Sequence, residues 1–438
     1  MSLDLVRFAK ACNPSRTLVF NNLDDEKYYI DFAEVRGGKI IEALERTIAR
    51  LSPDEPTCQL FTGHIGCGKS TELYRLKSEL EEQRFHVVYF EADQDLDMAD
   101  VEVTNILLAI ARQVSYSLEN IGIRLRPGYF SRLFDEIEQF LKTPIELSAE
   151  AELSVGIGKI VARTKDSPQI RSRLREYLEP RTSSILESIN DDLLKRAIAE
   201  LKRKQYSGLV VIIDNLDRIE NRLNAAGRSQ PEYLFIDRGS QLRDLACHVV
   251  YTVPLSLMFS NEGEALKNRL GGGIPPKVLP MVPVKRRDGS EQQYGMTLLR
   301  HLVMARGFPE AQAGDRLTLM PHLFDHPDTL DRLCRISGGH VRNLLGLLYG
   351  CLQQQDPPFS STVLEGVIRT YKDDLSLTIT DEQWILLQHV AQHKNIGNEP
   401  GYQHLLRSLF VFEYREADGR WFDLNPALAE VIAHELPR

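Results

Sequence analysis

Cysteine pairs, long apolar runs and a positive net charge are all missing from this sequence, and each absence excludes a class of protein. The six cysteines among its 438 residues form no C-x-x-C pair. They are too sparse for a disulfide framework, so we interpret them as buried or incidental thiols in a reducing compartment. No apolar run approaches the ~18 residues of a membrane helix, and the N-terminus lacks a secretory signal pattern. We therefore expect a cytoplasmic protein that has no membrane partner.

The charge of the chain limits its partners. The formal net charge is −9, which gives no overall attraction to nucleic acid or to an anionic membrane. Locally, residues 159–204 contain 12 Lys and Arg against 7 Asp and Glu, an excess of five positive charges. We predict that an acidic partner, if there is one, binds at this segment. A solvated helical face is the simpler alternative.

Short β-rich runs alternate with helical patterns in the first 275 residues. The runs are 58–63, 86–93, 208–215 and 248–255. Three of them are continuously apolar, which is typical of strands buried on both faces in a parallel sheet covered by helices. The predicted fold class is therefore α/β with a parallel sheet.

The interval between the second and third runs is too long for a single crossover helix. We predict that residues 121–184 form an insertion. Within it, residues 146–164 have partly alternating apolar and polar side chains around Gly156 and Gly158, which predicts a small hairpin. A helix rich in arginine follows at residues 169–178. The insertion is thus expected to combine helices with a hairpin.

Two further domains are predicted beyond the α/β domain, which we assign to residues 1–275. After a connection rich in Gly and Pro, residues 276–370 are mainly helical in pattern. Residues 371–438 show two helical patterns and then two strand-like runs around the turn Asp418-Gly419. This order of helix, helix and hairpin predicts a winged helix at the C-terminus.

The segment GHIGCGKS, from Gly63 to Ser70, fits the pattern G-x-x-x-x-G-K-[ST] between a predicted strand and a predicted helix. A polyphosphate needs several converging backbone N–H groups, and residues without a Cβ let the chain wrap closely around it. Lys69 supplies a fixed positive charge for the β- and γ-phosphates, and the hydroxyl of Ser70 can ligate Mg²⁺. ATP or ADP with Mg²⁺ are therefore the predicted cofactors. The predicted nucleotide-binding residues of this loop are Gly63, His64, Ile65, Gly66, Cys67, Gly68, Lys69, Ser70 and Thr71.

Polar residues that follow the predicted strands and helices complete the candidate site. Asp214 ends the run LVVIID at the carboxyl end of a strand, where ligands of open α/β sheets bind. We predict that it holds Mg²⁺ through a water, opposite Ser70. Asp217 is the next carboxylate and can activate the attacking water, with a cap or an ion pair to Arg218 as the alternative.

Two weaker candidates lie further along the chain. Thr252 ends the run HVVYT at the sheet edge and could report the occupancy of the γ-phosphate, although it is also an ordinary β-forming residue. Arg342 in GGHVR lies at a helix start in the second domain. From there it could reach the nucleotide and couple the position of the domain to the nucleotide state.

With these parts in this order, the chain resembles AAA+ ATPases of the branch that includes the origin-recognition initiators and the STAND signalling ATPases. The resemblance covers nearly the whole chain. It rests on the glycine-rich loop, the strand ending at Asp214, a sensor-1-like strand ending at Thr252, a sensor-2-like Arg342 on a helical lid, and the C-terminal winged helix. It implies a P-loop NTPase sheet of the AAA+ or ASCE kind. It also implies that an N-terminal segment packs on the adenine, with Val35 and Arg36 as candidates.

Two features depart from this family pattern. Many related ATPases have a Glu directly after the aspartate at position 214, to activate the attacking water, and this chain has Asn215 there. Either Asp217 takes this role or hydrolysis is slow. The spacing of Asp214 and Asp217 is closer to the Asp-x-x-Asp arrangement of STAND and NACHT proteins, and the insertion 121–184 has no place in a minimal AAA+ domain. Both features favour a switch over a processive motor.

Three functions fit these observations. The first is a nucleotide-controlled switch that hydrolyses ATP and associates with itself or with a protein partner. The second is a DNA-binding initiator or transposition-type regulator, but residues 372–438 have 6 Lys and Arg against 11 Asp and Glu, which disfavours duplex binding. The third, a small-molecule kinase, would not need the lid and winged helix. We expect the switch. Binding of nucleic acid is not favoured. If a nucleic acid or a neighbouring subunit's γ-phosphate is contacted, we expect the contact at the basic cluster rather than at the C-terminus, with a solvated face as the alternative. The cluster comprises Arg171, Arg173, Arg175, Lys202, Arg203 and Lys204.

Overall fold

The structure is a computed structural model that describes residues 3–125, 128–141, 153–224 and 227–435. The chain divides into two compact units, each built from separate stretches. The first unit comprises Met1–Ile40, Gly63–Arg75 and Val278–Arg438, and the second comprises Ile41–Thr62 and Leu76–Lys277. The glycine-rich loop, residues 63–70, therefore belongs to the first unit.

Helices make up most of both units. The α-helices of the described residues are α1 Leu5–Ala11, α2 Leu23–Glu26, α3 Ile40–Arg46, α4 Lys69–Glu82, α5 Ala92–Asp95, α6 Val103–Asn120, α7 Gly128–Leu141, α8 Leu153–Asp166, α9 Pro168–Leu178, α10 Thr182–Ser188, α11 Lys195–Arg203, α12 Gln230–Glu232, α13 Gly239–Arg243, α14 Gly263–Arg269, α15 Gln293–Gly307, α16 Pro327–Ile336, α17 Val341–Gln354, α18 Ser361–Ser376, α19 Asp381–His393, α20 Pro400–Arg407 and α21 Pro426–Glu435. Tighter or wider helical turns lie at Thr47–Leu51, Glu179–Arg181, Ile189–Leu194, Leu216–Arg218, Tyr233–Asp237, Leu255–Phe259 and Arg316–His322. None of the helices in these described residues is long and apolar enough to cross a membrane.

The strands form one five-stranded sheet and one hairpin. The strands are β1 Cys58–Gly63, β2 Phe85–Glu91, β3 Gly208–Asp214, β4 His248–Thr252, β5 Lys277–Leu279, β6 Val411–Glu416 and β7 Gly419–Leu424. The order in the large sheet is β2-β3-β4-β1-β5, and β2 with β3, β3 with β4 and β1 with β4 pair in parallel. Every residue of β3 is buried, as its continuous apolar run requires. The predicted α/β fold with a parallel sheet is confirmed.

The predicted hairpin in the insertion is wrong. The described part of that segment is helix α8, and residues 146–152 lie outside the described residues. Ile157 is fully buried in the core of the second unit. A Cβ on Gly156 would lie 2.5 Å from Cε2 of Phe134. The small residues therefore allow close packing of the helix, and the apparent alternation of side chains did not indicate a turn. The helix predicted for residues 169–178 is present as α9.

The C-terminal part of the first unit contains α19 and α20, then the antiparallel strands β6 and β7, then α21. Glu416 pairs with Gly419 across the turn, so the hairpin predicted at Asp418-Gly419 is present. Trp421 and Tyr414 of this hairpin are almost fully buried, and their rings stack at a centroid distance of 4.7 Å. The interpretation of this segment as a winged helix stays a prediction.

Candidate functional site

Glycine is required by the backbone of the loop at two positions. Gly66 and Gly68 have φ angles of +86° and +107°, in the left-handed region that residues with a Cβ rarely adopt. A Cβ on Gly66 would also lie 2.8 Å from Nε2 of His340 and 2.9 Å from Cβ of Arg342. Gly66 therefore allows both the curvature of the loop and the close approach of the segment that begins α17.

Lys69 is the first residue of α4, and its ammonium group is turned back into the loop. Nζ donates to the carbonyl oxygens of Gly63 at 2.9 Å and His64 at 2.8 Å. The side chain is 6% exposed, whereas Ser70 and Thr71 are half-buried. The charge that sequence reasoning assigns to the phosphates is thus held inside the loop.

His64 connects the loop to the C-terminal hairpin within the first unit. Its Nε2 accepts a hydrogen bond of 3.0 Å from the backbone N–H of Glu413 in β6, so the proton of the neutral ring is assigned to Nδ1. Burial, with Coulombic contributions from His340 and Lys69, lowers the pKa of His64 to about 3. His64 is therefore neutral at physiological pH, as its acceptor role requires.

His340 caps α17 and binds the loop from the other side. Its Nδ1 accepts from the N–H of Asn343 at 3.3 Å, and its Nε2 lies 2.7 Å from the carbonyl oxygen of Ile65. This pattern assigns the proton to Nε2, which then donates to Ile65. Burial lowers the pKa of His340 to about 4. The ring of Phe412 contacts both histidines, each at a centroid distance of 5.8 Å. We call His64, His340 and Phe412 the aromatic clamp.

Arg342, the sensor-2-like candidate, meets the loop through its main chain. Its backbone N–H donates to the carbonyl oxygen of Gly66 at 3.2 Å. The structure therefore brings the start of α17 and the glycine-rich loop together in one unit. Sequence reasoning selected Arg342 but missed His340, two residues earlier, although the motif GGHVR contained that signal.

The candidates for adenine contact, Val35 and Arg36, are both buried in the first unit. Nη2 of Arg36 donates to the carbonyl oxygen of Cys67 at 2.8 Å, and its guanidinium lies 5.2 Å from the ring centroid of Phe32. Cys67 is fully buried, and its Sγ lies 3.7 Å from the carbonyl oxygen of Leu279. Arg36 therefore supports the loop backbone, and its role at the adenine stays a prediction.

In the second unit, Asp214 ends β3 and is oriented by two donors. The hydroxyl of Tyr89 donates to Oδ2 at 2.9 Å, and the backbone N–H of Asn215 donates to Oδ1 at 2.7 Å. Asn215 has a φ of +64°, and its Nδ2 donates to Oδ1 of Asp93 at 3.1 Å. The residue after Asp214 therefore points its side chain toward Asp93.

Thr252 and Asp217 lie at the same edge of the sheet in the second unit. The hydroxyl of Thr252 donates to the carbonyl oxygen of Ile213 at 3.2 Å and accepts from the N–H of Leu216 at 3.0 Å. Its side chain is completely buried, so this hydroxyl joins the end of β4 to the turn after β3. Asp217 is 8% exposed within that turn, and Arg218 forms its ion pair with Asp93 at 3.1 Å.

Four of the six side chains of the predicted basic cluster form ion pairs with carboxylates of the same unit, and the other two donate to backbone carbonyls of that unit. Arg171 forms an ion pair with Asp97, and Nε of Arg175 lies 3.0 Å from Oε1 of Glu102. The other contacts are Arg173 to the carbonyl of Phe140, Lys202 to Asp54, Arg203 to Glu200 and Lys204 to the carbonyl of Ile121. A count of charges along residues 159–204 could not reveal these partners, because most of them lie outside that segment.

The parallel sheet and the glycine-rich loop that follows β1 define the P-loop NTPase fold, which implies that the chain binds a nucleotide. Residues 38–225 match the family model of the KAP family P-loop domain. The matched stretch contains the loop and Asp214 but ends before Thr252 and Arg342. No curated protein matches the sequence.

Several solved structures are similar to the chain over most of its length. The ORC2 protein of Aeropyrum pernix, in its ADPNP-ADP complexes, has 11% identity and a TM-score of 0.41, over 97% of this chain and 96% of that chain. A Walker-type ATPase of Pyrococcus abyssi has 10% identity and a TM-score of 0.43, over 97% and 99%. The RuvB Holliday junction branch migration motor of Thermotoga maritima has 12% identity and a TM-score of 0.37, over 96% and 100%.

Proposed function

We propose that this protein is a Mg²⁺-dependent, ATP-binding switch of the AAA+ and STAND kind, which hydrolyses ATP slowly and associates with itself when ATP is bound. The P-loop fold supports nucleotide binding. Asn215, which stands in place of the usual Glu, supports slow hydrolysis.

One observation carries the switch: in the first unit, the loop is hydrogen-bonded to two later segments of the chain. Ile65 and Gly66 bind the start of α17, and His64 binds β6. A ligand can shift a conformational equilibrium only through different contacts in the two states. Nucleotide binding recruits the backbone N–H groups of the same loop, so it acts directly on the segment that holds α17 and the hairpin.

Five of the predicted site residues act in this proposal. Lys69 binds the β- and γ-phosphates. Ser70 and Asp214 would hold Mg²⁺. The hydrogen bonds from Tyr89 and Asn215 fit this role because they orient the carboxylate of Asp214, and Mg²⁺ prefers hard oxygen ligands of this kind. Bound there, Mg²⁺ would supply positive charge that offsets the charge of the phosphates. Thr252 and Arg342 keep their proposed roles as sensors of the nucleotide state.

The proposal is tested by the mass of the particle in solution. We expect a larger mass by size-exclusion chromatography with light scattering when the protein is bound to Mg²⁺ and a non-hydrolysable ATP analogue than when it is bound to ADP. Lys69→Ala is expected to have the same mass in both nucleotides. An identical mass for the wild-type protein in ADP and in the analogue would refute nucleotide-controlled self-association.

The alternative function is a DNA-binding initiator or transposition-type regulator. The same measurement of mass, repeated with duplex DNA, tests it. The acidic balance of residues 372–438 and the ion pairs of the basic cluster both reduce attraction to phosphates. We therefore expect that duplex DNA at low salt does not change the mass. A DNA-dependent shift in mass that disappears with added salt would favour the alternative.

A further inference from the structure

A carboxylate at the end of β2 lies beside Asp214, and no role has yet been assigned to it. Glu91 is the last residue of β2, and its Cα pairs with that of Asp214 across the parallel strands. Neighbouring strands are about 4.8 Å apart, and paired residues of parallel strands direct their side chains to the same face. Tyr89, two residues earlier on that face, already reaches Asp214 with its hydroxyl at 2.9 Å. Glu91 therefore accompanies Asp214 at the carboxyl edge of the sheet, where ligands of this fold bind.

The other carboxylates near this edge are less suited to act as a base. Asp93 already accepts hydrogen bonds of 3.1 Å from Asn215 and from Arg218. Asp217 is 8% exposed, within a helical turn that begins after the strand has ended. Glu91 is half-buried and accepts a hydrogen bond of 3.0 Å from Nε2 of Gln94. This hydrogen bond is exposed to solvent. Glu91 makes no hydrogen bond to the backbone of the short helix that it precedes.

The conformation of Asn215 explains why the position after Asp214 is not available for a base. Its left-handed φ of +64° and its bond to Asp93 turn the side chain toward β2. A carboxylate at that position would face Asp93 and be repelled by it. A base for this edge then has to come from a neighbouring strand. The neighbours of β3 are β2 and β4. β4 ends in Thr252, whereas β2 ends in the carboxylate Glu91.

We propose that Glu91, and not Asp217, is the general base of the ATP hydrolysis proposed above, on which this inference rests. Glu91 accepts a proton from a water molecule as the water oxygen forms a bond to the γ-phosphorus. The bond between the γ-phosphorus and the bridging oxygen breaks, and ADP leaves with that electron pair. Glu91 then returns its proton to solvent, so the products are ADP, inorganic phosphate and one proton.

The test is Glu91→Gln, which keeps the shape of the side chain and an oxygen that can accept from Gln94. We expect kcat for phosphate release to fall by about 10²- to 10⁴-fold, the usual contribution of a general base. The affinity for a fluorescent ATP analogue, the KM for ATP and the melting temperature are expected to stay at their wild-type values. Glu264→Gln, the same change at a side chain that is 79% exposed in the same unit, is the matched control and is expected to behave as wild type. Asp217→Asn is measured in parallel as the competing assignment, and its kcat is expected to fall by less than that of Glu91→Gln.

Each outcome separates this inference from the proposed function. Wild-type turnover in Glu91→Gln would overturn the assignment of Glu91, and a loss confined to Asp217→Asn would return the role to Asp217. A parallel loss of nucleotide affinity or melting temperature in Glu91→Gln would show a structural role and overturn the assignment as well. If the wild-type protein releases no phosphate beyond the level of Lys69→Ala, the proposed ATPase itself fails, and the base assignment fails with it.

Discussion

At the scale of single residues, Lys69 is the clearest test of the loop. The ammonium group binds two loop carbonyls in the structure, so its removal takes away a charge for the phosphates without opening a cavity in an apolar core. We expect Lys69→Ala to weaken ATP binding by about 10- to 100-fold, because hydrogen bonds to charged groups contribute about 1.5–3 kcal/mol. Lys77→Ala, which removes a lysine of the same helix that pairs with Glu81, is the control in a calorimetric titration. Equal affinities in the two variants would contradict the role of Lys69.

The two histidines of the aromatic clamp give the first unit a definite dependence on pH. Burial lowers both pKa values, to about 3 for His64 and about 4 for His340. In the unfolded chain both histidines bind protons as the pH falls through about 6.5, whereas in the folded chain they do not. Their contribution to stability therefore falls as the pH drops from 7 to 5. Each buried neutral histidine removes about 2 kcal/mol over this range. Glu413 acts in the opposite direction, because burial raises its pKa to about 7.

A comparison with His64→Gln separates the contribution of His64 from that of Glu413. The oxygen of the Gln side chain can accept from the N–H of Glu413 but does not titrate. We expect the wild-type protein to lose about 2 kcal/mol more than the variant between pH 7 and pH 5. Urea unfolding at each pH, followed by tryptophan fluorescence, measures the free energy of unfolding. Trp384 and Trp421 both lie in the first unit, so the fluorescence reports on that unit. Parallel pH curves for the two proteins would mean that His64 is not buried in its neutral form.

At the scale of elements, the junction between the loop and α17 depends on the absence of a side chain at position 66. Gly66→Ala would force a Cβ into contact with His340 and into a left-handed φ, each of which costs about 1–3 kcal/mol. We expect the variant to bind ATP at least about tenfold more weakly and to melt at a lower temperature. Gly346→Ala in α17 is the matched control, since its Cβ would meet nothing within 4 Å. It should be neutral or stabilise the helix by up to about 1 kcal/mol.

At the scale of the whole molecule, we expect the ion pairs of the basic cluster to stabilise the second unit. Side chains that are paired in this way attract an outside acidic partner less strongly. The double variant Arg171→Glu with Arg175→Glu places new carboxylates beside Asp97 and Glu102. We expect a lower melting temperature, equivalent to about 1–3 kcal/mol, since these side chains are only partly exposed. Binding of duplex DNA at low salt should not change. Arg173→Glu is the control. Weaker DNA binding by the double variant, together with an unchanged melting temperature, would contradict this account.

Much of the fold followed from local patterns in the sequence. The continuous apolar run before Asp214 predicted a strand buried on both faces, and every residue of β3 is buried. The glycine spacing between residues 63 and 68 predicted a loop between a strand and a helix, which is where it lies. The same reasoning failed at Gly156, because a glycine that allows a turn and one that allows close packing have the same sequence pattern.

The sequence by itself thus determined the parallel sheet, the loop and Asp214, because a strand, a glycine turn and a buried face are properties of consecutive residues. Only the tertiary structure decided which distant groups meet these residues. His64 binds Glu413, 349 positions away, and Glu91 lies next to Asp214 because β2 pairs with β3. The physical reason is that periodicity records whether a side chain is buried, whereas the partner that buries it is fixed by the packing of elements far apart in the chain.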